Sequence, residues 1–413
     1  MENKTRELDP VQHLKSLDYP RRAGTEGDEK AADYICKTLE RYGLEPRIQE
    51  FQFLKSKKRK KLLVPILILA WGILCNTNIL FLGSNLILFA FLSIIVLLVP
   101  IGLIVVLCRF NWLMKYFSTR KRKKLEDLAT RMEKDEAKYK ERVMNSRNII
   151  AKLGQPDAEK HVLFTAHHDS ISTKCPRKLT IGSLISGGIT FLVYSVIYII
   201  NLITVFFCMN FMKLHFLVFF AVFLVAFVSF EIFFLGRLSS GNESHGIVDD
   251  GTGTAILLEL AKFLKDQGMK NYRFIFGFFS AEELGLIGST HYYINNKFDK
   301  DKLHVISIDM IGEKPPLAFT KGINPIKPVP MDAETNARLR SVARHLGIDI
   351  KGTNFPYPGS DFAPWLFDGF KVNWLINKSD VIHSRKDKLE NVNETLVNDA
   401  LKLVVGYLIA LSK

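Results

Sequence analysis

At 413 residues the chain has room for two or three domains, and its net charge of +14 invites a nucleic-acid partner. The placement of that charge argues against this class: the runs Lys55–Lys61 and Arg120–Lys124 stand near the two ends of a long apolar stretch, where an anionic membrane surface accounts for them. The cysteines at 36, 75, 108, 175 and 208 contain no CxxC pair and read as reduced, structural thiols.

Gly24-Thr-Glu-Gly27 leads into a helical pattern over Ala31–Tyr42 that Gly43 closes. Pro46–Leu54 alternates like a strand. Leu62–Cys108 is nearly free of charge and long enough for two bilayer crossings of about 20 residues each. Leu125–Met144, dense in Lys, Glu and Asp at helical spacing, predicts a solvated helical arm. Strands over Asn148–Leu153 and His161–Ala166 flank a Gly-Gln-Pro-Asp turn, and Leu179–Gly236 is a second apolar stretch, charged only at Lys213 and Glu231. Further on, helices are expected over Gly253–Leu264, Leu284–Tyr293, Ala333–Leu346 and Val392–Leu411, with strands over Tyr272–Phe279, Leu303–Ile308, Leu317–Thr320 and Val372–Ile376.

Strands alternating with helices imply an α/β fold: a three-layer α/β/α arrangement around a mostly parallel mixed sheet. The two apolar stretches add about four transmembrane helices, inserted as hairpins over 62–108 and 179–236. One large α/β domain is then assembled from 1–61, 109–178 (with the basic helical arm) and 237–413. The amino terminus is polar and the first apolar run begins at Leu62, which reads as no signal peptide. Basic residues crowd one side of the hairpins, so the expected localisation is a multi-pass protein of the plasma membrane with its polar domain in the cytoplasm. The lipid bilayer is the partner expected from these stretches, with no nucleic acid.

Five segments carry metal-liking side chains: Ala166-His-His-Asp-Ser170, Val248-Asp-Asp-Gly-Thr-Gly253, Ser280-Ala-Glu-Glu-Leu-Gly285, Ile308-Asp-Met310 and Ile382-His-Ser384. Most sit beside glycine turns or at the ends of strand-like runs, where open α/β sheets gather ligands. His167 and Asp169 alternate along a strand end and share a face, so one can bind a metal while the other orients it. His168 points the other way and reads as structural. Asp250, nearer the following helix, suits an N-cap better than Asp249 does. Glu282 and Glu283 follow an apolar strand; neighbouring side chains diverge, so one can bind a metal while the other serves as a general base. A zincin arrangement is excluded because no HExxH is present.

These residues resemble the M28 metallopeptidases, the dinuclear zinc aminopeptidases and their relatives. The likeness runs from Arg22-Ala-Gly-Thr-Glu-Gly27 through Phe164-Thr-Ala-His-His-Asp-Ser170, Val248–Gly253, Phe279–Ser289, Ile308–Met310 and Gly359-Ser-Asp361 to Ile382–Ser384. It implies two Zn²⁺ bridged by Asp249, with His167 and Asp309 completing one site and Glu283 and His383 the other. Glu282 is then the general base, and Asp169 orients His167. The ligand types also suit Mn²⁺ or Co²⁺. The Asp249–Asp250 peptide is cis in such relatives. Many relatives carry His after Gly-Ser-Asp, where this chain has Phe362. The implied activity is that of a membrane-anchored aminopeptidase, with a peptide substrate as partner. A single-zinc, glutaminyl-cyclase-like acyltransferase and a non-catalytic receptor or scaffold are the alternatives on the same fold.

Overall fold

Apolar runs in this sequence build one sheet whose two faces bury different residues. The computed structural model describes residues 8–55, 109–135, 139–173, 240–269, 271–324 and 327–412, with single positions between 70 and 229. The chain divides into two compact units, one of 1–55, 110–172 and 241–413 and the other of 56–109 and 173–240. The sheet and the helices packed on it belong to the first.

In chain order the unit runs α1 (Val11–Leu17), α2 (Glu26–Arg41), β1 (Arg47–Leu54), α3 (Phe110–Glu126), α4 (Leu128–Lys134), β2 (Val143–Leu153) and β3 (Lys160–His167). It continues with α5 (Thr252–Gln267), β4 (Tyr272–Phe279), α6 (Ile287–Ile294), β5 (Leu303–Asp309), β6 (Lys314–Ile323), β7 (Val329–Pro330) and α7 (Ala333–Leu346). β8 (Ile350–Phe355), α8 (Ala363–Leu366), β9 (Lys371–Lys378) and α9 (Glu394–Leu411) complete it.

The strand order is β1-β2-β4-β3-β5-β9-β6-β8, with β7 on β6. The central strands β4, β3, β5 and β9 are mutually parallel, as is the β6–β8 pair. β1, β2 and β6 attach antiparallel, so the expectation of a mostly parallel sheet holds for the centre and not for the flanks. Because side chains alternate, β3 sends Val162, Phe164 and Ala166 to one layer and Leu163 to the other. The first layer is covered by α2, α5, α7 and α9, through Ile35 and Leu39, Ile256 and Leu260, Leu339 and Ala343, and Val397, Leu401 and Val404. The second is covered by α6 and α8, where Tyr292 and the fully buried Trp365 pack with Phe279, Trp374 and Ile376. Caps fix helix starts: Asp332 accepts from the Thr335 amide at 2.9 Å, and Asn393 from the Leu396 amide at 3.3 Å.

Two expectations are corrected. The stretches assigned to four transmembrane helices, 62–108 and 179–236, lie almost wholly outside the described residues, and among the described residues no helix is long and apolar enough to cross a membrane. α3 carries Lys115 and Arg120–Lys124, and α9 carries Glu394, Asp399 and Lys402 while its apolar stripe packs on the sheet. The multi-pass, cytoplasm-facing plasma-membrane localisation, and with it the bilayer as partner, is therefore not carried further. The helical arm expected over Leu125–Met144 also differs: it is α4 and the end of α3, and β2 begins at Val143 because Val143 and Met144 pair with Leu54 and Phe53. Ladder pairing outweighs the local charge pattern there.

Candidate metal centre

Parallel pairing brings the carboxyl ends of β3, β4, β5 and β9 to one edge, in register His167 beside Phe279 and Asp309 beside Ile376. His167 and Asp309 are the last residues of their strands, Glu282 and Glu283 lie in the turn after β4, and His383 lies in the loop after β9. Asp249 and Asp250 precede α5 and are joined by a cis peptide. Non-glycine residues with φ in the left-handed region recur here: Ala281 (55°), Met310 (56°) and His383 itself (59°). Such backbone gathers where a site demands a set direction from a side chain.

The centre is built around one carboxylate. Asp249 Oδ1 lies 3.2 Å from His167 Nε2, and Asp249 Oδ2 lies 3.1 Å from His383 Nε2. Glu283 Oε2 is 3.0 Å from His383 Nε2, while Asp309 Oδ1 and Glu282 Oε2 are 3.8 and 3.9 Å from His167 Nε2. On its other side His167 Nδ1 faces Asp169, 3.1 Å from the carbonyl and 3.5 Å from the carboxylate. That carboxylate also accepts from the backbone amides of Glu282 (3.0 Å) and Glu283 (3.4 Å), tying the end of β3 to the acidic turn.

Two sets of side chains converge closely enough to hold a cation: His167, Asp250 and Asp309, and Asp249, Glu283 and His383, with ligand atoms within 4.8 Å in each. Asp250 is otherwise engaged, accepting from the His167 amide at 3.2 Å and from the Gly253 amide at 2.9 Å. Asp249 Oδ1, 3.2 Å from His167 Nε2, also faces the first set. All seven residues singled out in the sequence, His167, Asp169, Asp249, Glu282, Glu283, Asp309 and His383, thus surround one cluster.

The electrostatics call for positive charge. Burial pushes Glu282 well above the ordinary carboxylate range; His167 opposes this, and Glu283, Asp361 and Asp309 add to it. Burial also pushes Glu283 and Asp361 up to about 7. Burial acts against Asp249 too, but its bonds to His167 and His383 hold its carboxyl below the usual range. Both imidazoles are driven up; burial opposes, and the facing carboxylates prevail. Glu283 Oε1 and Asp309 Oδ1 are buried without a hydrogen-bond partner. Such oxygens are costly to bury uncompensated. The donor set, two imidazoles with several carboxylates, suits zinc.

Three supports carry no sequence signature. Arg21 is fully buried, giving Nε to the His168 carbonyl and Nη2 to the Gly246 carbonyl, both at 2.8 Å. Asp387 is fully buried, accepts from the Val248 amide at 2.6 Å, and is pushed by burial up to about 8. Asp28 holds His168 at 3.2 Å, behind the centre. Phe362 is fully buried against Trp374, with ring centroids 5.3 Å apart, and offers no polar group.

Gly253 lets α5 start against β5: an added Cβ would lie 2.4 Å from both the Ile308 carbonyl and the Asp250 carboxylate. A Gly253→Ala substitution is expected to cost about 1–3 kcal/mol through overpacking, read as a lower urea midpoint, and to displace Asp249. An unchanged midpoint would show that α5 can shift freely.

Comparison with known proteins agrees with this geometry. Residues 231–408 match Peptidase family M28. Leupeptin-inactivating enzyme 1 of Streptomyces exfoliatus is 30% identical over 182 residues, 39% of this chain and 41% of that protein. Aminopeptidase YwaD of Bacillus subtilis strain 168 is 29% identical over 176 residues, 40% of this chain and 37% of that protein. The chain thus spans about two-fifths of the length of these curated relatives. A solved zinc aminopeptidase from Bacillus subtilis superposes with a TM-score of 0.52 at 14% identity, covering 98% of this chain and 94% of that one. That likeness is one of fold, a mixed sheet covered by helices.

Proposed function

We propose that the chain is a two-zinc aminopeptidase that removes the first residue from peptides with a free amino terminus. One observation carries the reading: the Asp249 carboxylate divides between two imidazoles, 3.2 Å from His167 and 3.1 Å from His383. In this reading Asp249, His167 and Asp309 hold one ion, and Asp249, Glu283 and His383 the other. Two dications would offset the negative charge of the three buried carboxylates Asp249, Asp309 and Glu283. Bound zinc would supply Lewis acidity and bring water toward ionisation near neutral pH.

The chain's own residues do the rest. Glu282, close to His167 but outside both triplets, accepts a proton from the attacking water and delivers it to the leaving amine. Asp169 holds the His167 imidazole and, through two amides, the direction of Glu282 and Glu283. A single-zinc cyclase would need only one of the two triplets, and a scaffold neither.

The test is hydrolysis by the purified full chain, supplied with zinc, of matched dipeptides with free and blocked amino termini. Release from the free substrates alone, lost on chelation and restored by zinc, is expected. Preference for blocked substrates, cyclisation of amino-terminal glutamine without hydrolysis, or indifference to chelation would overturn the reading.

A further inference from the structure

α3 carries the basic run Arg120–Lys124, yet two of its bases turn into the domain instead of toward solvent. Lys121 Nζ donates to the Gly285 carbonyl, to the Leu286 carbonyl at 2.8 Å and to Thr290 Oγ1 at 2.8 Å. Three acceptors match the three protons of an ammonium group. Burial pushes that ammonium down to about 7, with Glu282 and Asp361 pulling it back up. Arg122 pairs with Asp368 at 2.5 Å, donates to the Pro364 carbonyl at 2.5 Å, and lies over the Tyr293 ring at 4.2 Å. At the other end of α3, Asn111 donates to the Lys327 carbonyl at 2.8 Å. The helix is anchored along its length.

The turn that Lys121 grips is the one bearing Glu282 and Glu283. The amides of Gly285 and Leu286 are satisfied by the Glu282 carbonyl, both at 2.7 Å, and those of Glu282 and Glu283 by Asp169. The turn also contains three residues with positive φ: Ala281 at 55°, Gly285 at 107° and Leu286 at 56°. Such backbone persists only when its surroundings over-determine it. The carbonyls of Gly285 and Leu286 face α3, and Lys121 joins them.

The geometry points to Lys121 as a positioning residue: by bridging the carbonyls of Gly285 and Leu286 to α3, it fixes the direction in which Glu282 and Glu283 leave the turn. Its kinetic consequence rests on the aminopeptidase reading; its mechanical consequence does not. Lys121→Met keeps the aliphatic stem and removes the donors, whereas Lys121→Arg keeps a cation with donors. In zinc-loaded full-length protein, with an amino-terminally free aminoacyl anilide, Lys121→Met is expected to lower kcat by ~10–100-fold, as small misplacements of catalytic groups do. KM should stay within about twofold, since ground-state binding is not the interaction removed. Lys121→Arg should recover part of the loss, which a role in packing alone would not predict. Amide hydrogen exchange at 284–288, measured on the same samples, should be at least ~10-fold faster in Lys121→Met, reporting local opening of the turn.

If the wild-type chain hydrolyses nothing, the aminopeptidase reading fails and the exchange measurement alone decides the inference. Wild-type exchange in Lys121→Met would overturn it. So would wild-type kcat in an active enzyme, or a Lys121→Arg variant no better than Lys121→Met.

Discussion

Glu282→Gln will keep its zinc and lose hydrolysis, by ~10²–10⁴-fold, the range expected when a positioned proton acceptor is removed. The substitution preserves side-chain volume and belongs to neither triplet of converging ligands. Metal content by elemental analysis should therefore equal that of the wild type while kcat collapses. Burial and the neighbouring acids give Glu282 its high proton affinity, and an amide cannot take a proton in that setting. A variant that keeps wild-type kcat would move the base to another side chain, and one that loses metal would make Glu282 a ligand.

Asp249→Ala will do the opposite, depleting metal first. Both imidazoles face this carboxylate, through different oxygens. Its loss leaves His383 with Glu283 at 3.0 Å and His167 with Asp309 at 3.8 Å, two-donor remnants on each side. A catalytic zinc site ordinarily uses three protein ligands. Zinc per chain is expected to fall from about two to below about one, with hydrolysis at background. Glu283→Ala, which touches only the His383 side, should release one equivalent and leave the other. Full zinc in Asp249→Ala would refute the shared-carboxylate arrangement.

Much of this architecture is legible in the residues because the parallel strands are buried on both faces and therefore uniformly apolar. Tyr272–Phe279 has the same limits in sequence and structure, and Ala333–Leu346 likewise, with a capping Asp332 and a closing Gly347. β8 is invisible: Ile350-Lys-Gly-Thr-Asn-Phe355 is an edge strand with little apolar content, and it forms because β6 offers a free edge. The antiparallel flanks are equally silent, since strand direction depends on connections that periodicity does not encode. The seven site residues are legible together because most of them lie at a strand end or a glycine turn. Arg21, Asp387 and Lys121 are not. Each is a lone charge whose burial depends on carbonyls or amides from distant segments, such as Gly246, Val248 and Leu286. The apolar stretches at 62–108 and 179–236 lie almost wholly outside the described residues, and no helix among the described residues is long and apolar enough to cross a membrane.

The central claim is that two cations share Asp249. Zinc-edge anomalous diffraction from crystals of the zinc-loaded chain tests it directly. Two peaks are predicted, one beside His167 and Asp309 and one beside His383 and Glu283, both in contact with the Asp249 carboxylate. A single peak at full zinc loading, or peaks away from Asp249, would contradict it.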